Sequence, residues 1–240
     1  KPKAVVCIPT HITEVEKRAV HDATLAAGAK EVFLIEKSMA AAIGAGIAVN
    51  EPYGSMVVDI GGGTTEVAVI SLGGLVTTQS IKVAGSTFDA DIIAYMKKKY
   101  GLAVGDITAE EIKKAAAAAC PLKEEVTTEV NGRDLVSGLP KTVSVSSVEL
   151  RSALEESLVF IIDGIKSALE KTPPELSADI FESGIVLTGG GSLLKGLGRL
   201  INVNTEIPIY IAEDPMECVA IGAGKTLEEI KTLKSILITQ

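Results

Sequence analysis

Residues 57–69, Val-Val-Asp-Ile-Gly-Gly-Gly-Thr-Thr-Glu-Val-Ala-Val, constrain this chain more than any other stretch. An apolar pair runs into an Asp, three glycines and two hydroxyls, and apolar residues then resume at alternate positions. The spacing predicts a β-hairpin, with strands at 55–60 and 65–71, whose turn carries no side chains and lets its backbone approach a ligand. Amides in such a turn point at a phosphate, Thr64 and Thr65 add hydroxyl donors, and Asp59 is placed to hold a metal-bound water. A tight glycine hairpin without a ligand is the plain alternative. The Asp before the glycines and the Thr pair after them weigh against it.

A second glycine knot repeats the theme. Residues 184–194 read Gly-Ile-Val-Leu-Thr-Gly-Gly-Gly-Ser-Leu-Leu, a buried-strand pattern followed by Gly189, Gly190 and Gly191 and then a helical stretch. A strand, glycines and a helix start let a nucleotide lie against bare backbone at the strand's carboxyl end. One such turn is weak; two look like the lips of a cleft.

Composition narrows the rest. The chain has 240 residues, 47% hydrophobic but only 3% aromatic and without Trp, so its core is built from Ala, Val, Ile and Leu. That suits an α/β protein with strands buried on both faces. A net charge of −8 argues against nucleic-acid binding and offers no basic patch for anionic lipid. Cys7, Cys120 and Cys218 are too scattered for a metal site or a disulfide framework and read as buried thiols of a reducing, cytoplasmic protein. His11 and His21 have no metal or nucleophile partner in the pattern and read as surface residues. No apolar run approaches the length of a membrane span and no signal peptide is visible.

Along the chain, strands are expected at 4–8 and 31–35, around a helix from Glu14 to Ala27 capped by Thr13 and Glu16. A small-residue helix follows over 39–48, then the hairpin, a third strand near 75–83 and a helix over 88–100. A helix over 109–119 and β-prone stretches at 125–131 and 141–146 read as a small α+β insertion. Val148–Lys171 reads as a long amphipathic helix ended by Pro173 and Pro174, its mixed-charge polar face pointing to core packing rather than membrane binding. A strand at 184–188, a helix near 192–202, a strand at 207–211 and a helix over 216–233 complete the pattern.

The hairpin, the Thr188–Ser192 turn, the stretch Lys171-Thr-Pro-Pro-Glu-Leu176 and the helix Met39-Ala-Ala-Ala-Ile-Gly44 together resemble the MreB family of bacterial actins. The resemblance covers essentially the whole chain. It implies the actin-like (ribonuclease H-like) ATPase fold, α/β, with mostly parallel sheets flanked by helices and a small inserted subdomain. In the family's terms, residues 1–42 with 213–240 are a remnant of the first domain. Residues 43–78 with 152–212 form the core of the second, and 79–151 the insertion. It also implies ATP and Mg²⁺ in an interdomain cleft, with Asp59 holding the Mg²⁺ through water and acting with Thr64 in catalysis. Gly61, Gly62, Gly63, Thr64 and Thr65 become the β/γ-phosphate loop. Gly189, Gly190, Gly191, Ser192 and Leu193 become the adenosine and α-phosphate wall, and Glu110, Glu111, Ile112 and Lys113 the ribose or base contacts. An i, i+3 pair such as Glu110 and Lys113 is also an ordinary solvent-exposed ion pair.

The departures matter as much. Family members open with an Asp-x-Gly-Thr phosphate loop that this sequence lacks, so it matches their later part, as a fragment, a truncated product or a natural short form. The family's Ile-Glu-Glu-Pro-Met is Ile35-Glu36-Lys37-Ser38-Met39 here, which puts Lys37 where a glutamate positions the attacking water. An ammonium there is no general base at neutral pH, and Glu36 points to the other face of a strand. The family's Ala-Gly-Asp is Ala84-Gly85-Ser86, and Ala115 and Ala117 replace a Glu and a Gly. The expectation is a cytoplasmic, membrane-associated chain that binds ATP, self-associates into protofilaments governing rod shape and cell-wall elongation, and hydrolyses ATP weakly or not at all. Full-length family members, elongation-complex membrane proteins and the inner membrane surface are its implied partners. The alternative is a catalytically inactive module that co-assembles with or regulates full-length filaments. A sugar kinase or heat-shock-type ATPase shares the hairpin but is disfavoured, since no sugar-site or peptide-binding segment is visible.

Overall fold

A computed structural model describes residues 1–230, 232–233 and 236–238. The chain runs β1 (Lys3–Ile8), α1 (Glu14–Ala26), β2 (Glu31–Glu36), α2 (Lys37–Gly44), β3 (Ser55–Ile60), β4 (Thr65–Ser71), β5 (Gly74–Ile81) and α3 (Gly85–Tyr100). It continues through β6 (Leu102–Ala103), α4 (Asp106–Ala116), β7 (Thr127–Asp134), β8 (Pro140–Ser146), α5 (Ser147–Glu170), α6 (Pro174–Ser183), β9 (Ile185–Thr188), α7 (Leu197–Thr205), β10 (Ile209–Ile211) and α8 (Cys218–Glu228). Three sheets result among the described residues: parallel β1–β2, a five-stranded sheet ordered β10-β9-β3-β4-β5, and antiparallel β6-β7-β8. In the five-stranded sheet β10, β9 and β3 are parallel, while the glycine hairpin makes β3, β4 and β5 antiparallel.

The central strands are buried on both faces, and their alternation sorts side chains between two cores. Met56, Val58, Ile60, Val67 and Val69 face a large cluster containing α3, α5 and the three-stranded sheet. Val57, Ala68 and Ile70 face a smaller one built on α2. With a period of two, Asp59 shares the α2 side with Val57. The face of the sheet thus decides which helix Asp59 meets.

Helices α2 and α8 approach closely because both carry glycine at the crossing. A Cβ on Gly44 would lie 1.8 Å from the Cys218 carbonyl oxygen, and one on Gly222 1.8 Å from that of Ala40. The capping box predicted at α1 is formed: the Thr13 amide donates to Glu16 at 2.8 Å and the Glu16 amide to the Thr13 hydroxyl at 3.3 Å. The long helix α5 packs Leu150, Leu154, Leu158, Ile161 and Ile165 into the larger core, as its periodicity suggested.

Several boundaries differ. Helix α2 begins at Lys37, straight from the strand, and stops at Gly44. The prolines at 173 and 174 end α5 but also start α6, an element the sequence reading passed over; Pro is well suited to a first helical turn because its missing N–H would be unpaired there anyway. The Ala run leaves its helix at Ala117, whose ψ of 142° is extended, and Ala119 donates to the Lys195 carbonyl at 2.8 Å. The helix expected at 192–202 is split into a 3-10 turn over Gly190–Leu193 and α7, because Gly196 adopts φ +76°. Helix α8 ends at Glu228; Lys231, within the stretch expected to extend it, lies outside the described residues. Of the expected divisions, those at 42/43, 78/79 and 151/152 fall inside α2, β5 and α5, and the one at 212/213 falls in the loop between β10 and α8. His11 is exposed, His21 is half-buried, Cys120 and Cys218 are buried and Cys7 half-buried, all three thiols free.

Candidate functional site: a glycine-walled cleft

The two glycine knots meet at the end of β3. Parallel register sets Asp59 opposite Thr188, and the Thr188 hydroxyl donates to Asp59 Oδ1 at 3.0 Å. Gly189 follows with φ +79° and no room for a side chain, since its Cβ would lie 2.3 Å from the Ile60 carbonyl oxygen. Across the hairpin turn the Gly61 amide donates to the Thr64 carbonyl at 3.0 Å. The loop is tied to the first turn of α3 by Gly85 donating to the Gly61 carbonyl at 3.1 Å and Ser86 to that of Gly62 at 2.8 Å.

Between these loops lies a cavity of about 670 Å³, a size suited to a small-molecule or cofactor ligand. Gly61, Gly62, Gly189, Gly190, Gly191, Leu193, Glu110, Lys113 and Asp59 line it. Among the described residues, the amides of Gly62, Gly190 and Gly191 donate to no protein acceptor, so three unpaired N–H groups border one space. Other proposed contacts stand outside the lining. Thr65 is buried and donates to the Val83 carbonyl at 2.7 Å, and Ser192 is buried and donates to the Gly189 carbonyl at 2.6 Å. Ile112 belongs to the core and Glu111 borders a different depression beside β7. Gly63 and Thr64 occupy the turn without lining the cavity. Ser192 and Thr65 therefore brace the glycine loops from behind. A cavity of about 460 Å³ against α5 contains none of these residues.

The charges are more specific than the sequence suggested. Lys37, first residue of α2, puts its Nζ 2.6 Å from Asp59 Oδ2. The Asp59 side chain is 2% exposed and that of Lys37 30%. The contact is an ion pair without hydrogen-bond alignment, and among the described residues Oδ2 has no hydrogen-bond partner. Lys113 meets Asp89 Oδ1 at 2.8 Å and donates to the Gly85 carbonyl at 3.1 Å, while Lys114 pairs with Glu110 at 2.7 Å on the exposed rim. Lys195 donates to the Ala115 carbonyl at 2.9 Å. Four lysines (37, 113, 114, 195) thus line the cavity against three carboxylates (59, 89, 110), on a chain whose net charge is −8.

Sequence reasoning missed Thr188, Asp89, Lys114 and Lys195. Thr188 stands directly before the glycines, where parallel pairing to Asp59 could have been foreseen; the other three are brought in by tertiary packing alone. Glu36 turns away from the cavity, as strand alternation suggested. Burial raises its carboxyl above the ordinary value, partly offset by Lys17 and His11. Burial likewise raises the Cys218 thiol, which also feels the Asp59 and Asp214 carboxylates.

The glycine walls, unpaired amides and surplus lysine fit a phosphorylated nucleotide. The residues do not fit a Mg²⁺ held through Asp59. Its Oδ1 already accepts from Thr188, its Oδ2 faces an ammonium, and the other two lining carboxylates are paired with lysines. Among the described residues no three His, Cys, Asp or Glu side chains converge as a metal-binding group.

Known proteins resemble the chain over nearly its whole length. The MreB/Mbl protein family model matches residues 1–235. The cell shape-determining protein Mbl of Bacillus subtilis is 48% identical over 233 residues, covering 97% of this chain and 70% of that protein. The cell shape-determining protein MreB of Escherichia coli is 52% identical over 229 residues, covering 95% and 66%. The chain thus spans about two thirds of the relatives it matches. Crystal structures of MreB5 of Spiroplasma citri, one bound to ADP and one to AMPPNP, superpose with TM-scores of 0.92 at 38% identity. They cover 98% and 96% of this chain and 70% and 69% of theirs. The fold is actin-like, and the chain belongs to the MreB/Mbl family.

Proposed function

We propose that this chain binds ATP or ADP in the glycine-walled cleft and is a subunit of a self-associating cytoskeletal filament that governs cell shape. One observation carries the nucleotide part: unpaired amides of Gly62, Gly190 and Gly191 and four lysines border one cavity on an otherwise acidic chain. ADP and AMPPNP in the related MreB5 structures support it. The cell-shape role rests on the relatives' function, and the membrane-associated filament and elongation-complex partners rest on family resemblance. Among the described residues no helix is long and apolar enough to cross a membrane.

The ion pair at Lys37 favours one particular form of the alternative reading, a subunit that binds nucleotide but turns it over weakly or not at all. The position from which a carboxylate would orient water carries an ammonium already committed to Asp59. Titration calorimetry with ATP, beside phosphate release from the same samples, tests both parts. Gly190 is the informative variant, because a Cβ there meets only Met216 at 3.6 Å. Gly190→Val projects a side chain into the cavity from a point where a Cβ has room, and is expected to weaken binding by about tenfold or more. Unchanged affinity in that variant would place the nucleotide elsewhere, and phosphate release at the rate of an intact family member would defeat the low-turnover reading.

A further inference from the structure

We propose that the Lys37 ammonium, paired with Asp59, is the resident cation of this cleft in place of the divalent ion the family resemblance implies, so that nucleotide binding needs no divalent metal. The inference rests on the nucleotide reading above. It begins with a charge that looks misplaced. Lys37 opens α2, where the helix dipole disfavours a cation. What holds it there is Asp59, a carboxylate 1% exposed at the end of β3. A buried carboxylate needs a counter-charge, and at 2.6 Å the ammonium supplies it.

The arrangement has little room for a second cation on the same oxygen. Mg²⁺ demands octahedral ligands, keeps several waters, and typically takes one or two protein carboxylates with the phosphates. Here each of the three lining carboxylates already has its lysine: Asp59 with Lys37, Asp89 with Lys113, and Glu110 with Lys114. If Mg²⁺ claimed Asp59, Lys37 would be left at a helix N-terminus without its partner.

The same ammonium is well placed for a phosphate. Lys37 Nζ lies 3.3 Å from where a Cβ on Gly61 would stand, so it borders the bare backbone of the hairpin turn. From the other side, Lys113 Nζ lies 3.7 Å from the corresponding point on Gly85. Two ammonium groups therefore flank the loop, each anchored by a carboxylate. An ammonium binds phosphate as a point charge and needs no coordination geometry. Because Lys37 remains 30% exposed at its side chain, it can keep Asp59 on one side and accept a phosphate on the other.

The test is calorimetric titration of the chain with ATP and with ADP, once in excess EDTA and once in excess magnesium chloride. The expected dissociation constants differ by less than about threefold between the two buffers. Lys37→Gln is expected to weaken binding in EDTA by about tenfold or more, and Lys37→Glu, which adds a second carboxylate beside Asp59, to make binding depend on magnesium. Wild-type affinity falling more than about tenfold in EDTA overturns the proposal and leaves the nucleotide reading intact. Tighter binding by Lys37→Gln in EDTA also overturns it, since the ammonium would then be a plug. Absence of binding heat in both buffers defeats the nucleotide reading itself and this proposal with it. The comparison of buffers on the unaltered chain decides the question even if neither variant folds.

Discussion

At the scale of single residues, the cleft depends on a buried carboxylate with one neutral and one charged partner. Thr188 and Asp59 are both buried, and the hydroxyl is the hydrogen-bond donor that Oδ1 has from a side chain. Thr188→Val keeps the shape and removes that donor. Leaving a buried carboxylate oxygen without its partner costs about 1–3 kcal/mol, so the urea midpoint of the variant is expected to fall at unchanged denaturant slope. A midpoint equal to that of the parent would mean that the hydroxyl contributes nothing to holding Asp59. The substitution of lysine at position 37 belongs to the same scale. It brings the Asp59 charge its own counter-ion; on the readings proposed above it also leaves the water-orienting position without a carboxylate and lifts the need for a metal.

At the scale of elements, two contacts matter most. The hairpin turn and the Gly189 turn are stacked so closely that Gly189 and Gly191 each admit no side chain, both meeting Ile60. The crossing of α2 and α8 is equally tight and fixes the helix that carries Lys37. In Gly222→Ala the new methyl would meet the Ala40 carbonyl oxygen at 1.8 Å. Backbone cannot yield as a flexible side chain does, and overpacking of this kind costs about 1–3 kcal/mol, occasionally more. The expected result is a lower thermal midpoint together with weaker nucleotide binding, because α2 carries Lys37. A stable variant with parental affinity would show that the crossing does not set the position of Lys37.

At the scale of the whole molecule, a carboxylate hub outside the cleft ties the C-terminal end of α3 to the junction of β8 and α5. Glu149, in the first turn of α5, accepts from Lys99 at 2.6 Å, Tyr100 at 2.6 Å and the Ser146 amide at 2.9 Å. Burial alone would raise its carboxyl, but these hydrogen bonds outweigh it and bring the value down to about 2 from an ordinary 4.5. A depressed carboxylate contributes stability above its unfolded value and loses it as pH falls toward the folded one. This contribution is therefore complete above pH 4.5 and disappears as pH approaches about 2. Glu149→Gln is expected to be less stable than the parent at pH 7 and nearly equal to it near pH 2, with a flatter acid limb between. Parallel stability curves for the two proteins across that range would exclude the hub. Nucleotide affinity at neutral pH should be unaffected, since none of these groups lines the cleft.

The local features were legible along the chain alone. The hairpin, the second glycine turn, the Thr13 cap and the apolar stripe of α5 all follow from short-range spacing, because turn chemistry, capping and periodicity act over a few residues. The sequence also marked Lys37 among several departures from the family pattern, and brought Asp59 and the two glycine knots to one cleft by resemblance. Where local signals served two purposes it misread them: the proline pair that ends α5 also begins α6, and the Ala run that looks helical leaves the helix to pair with Lys195. Which groups meet was settled by folding in three dimensions. Thr188 reaches Asp59 through parallel register, and Lys113 turns to Asp89 instead of Glu110. Ser192, Thr65 and Ile112 lie behind the cleft wall because neighbouring strands and helices fill that side. Above all, Lys37 is committed to Asp59. That contact depends on the sheet face to which Asp59 alternates and on the glycine crossing that holds α2 against it, distances in space that no spacing along the chain encodes.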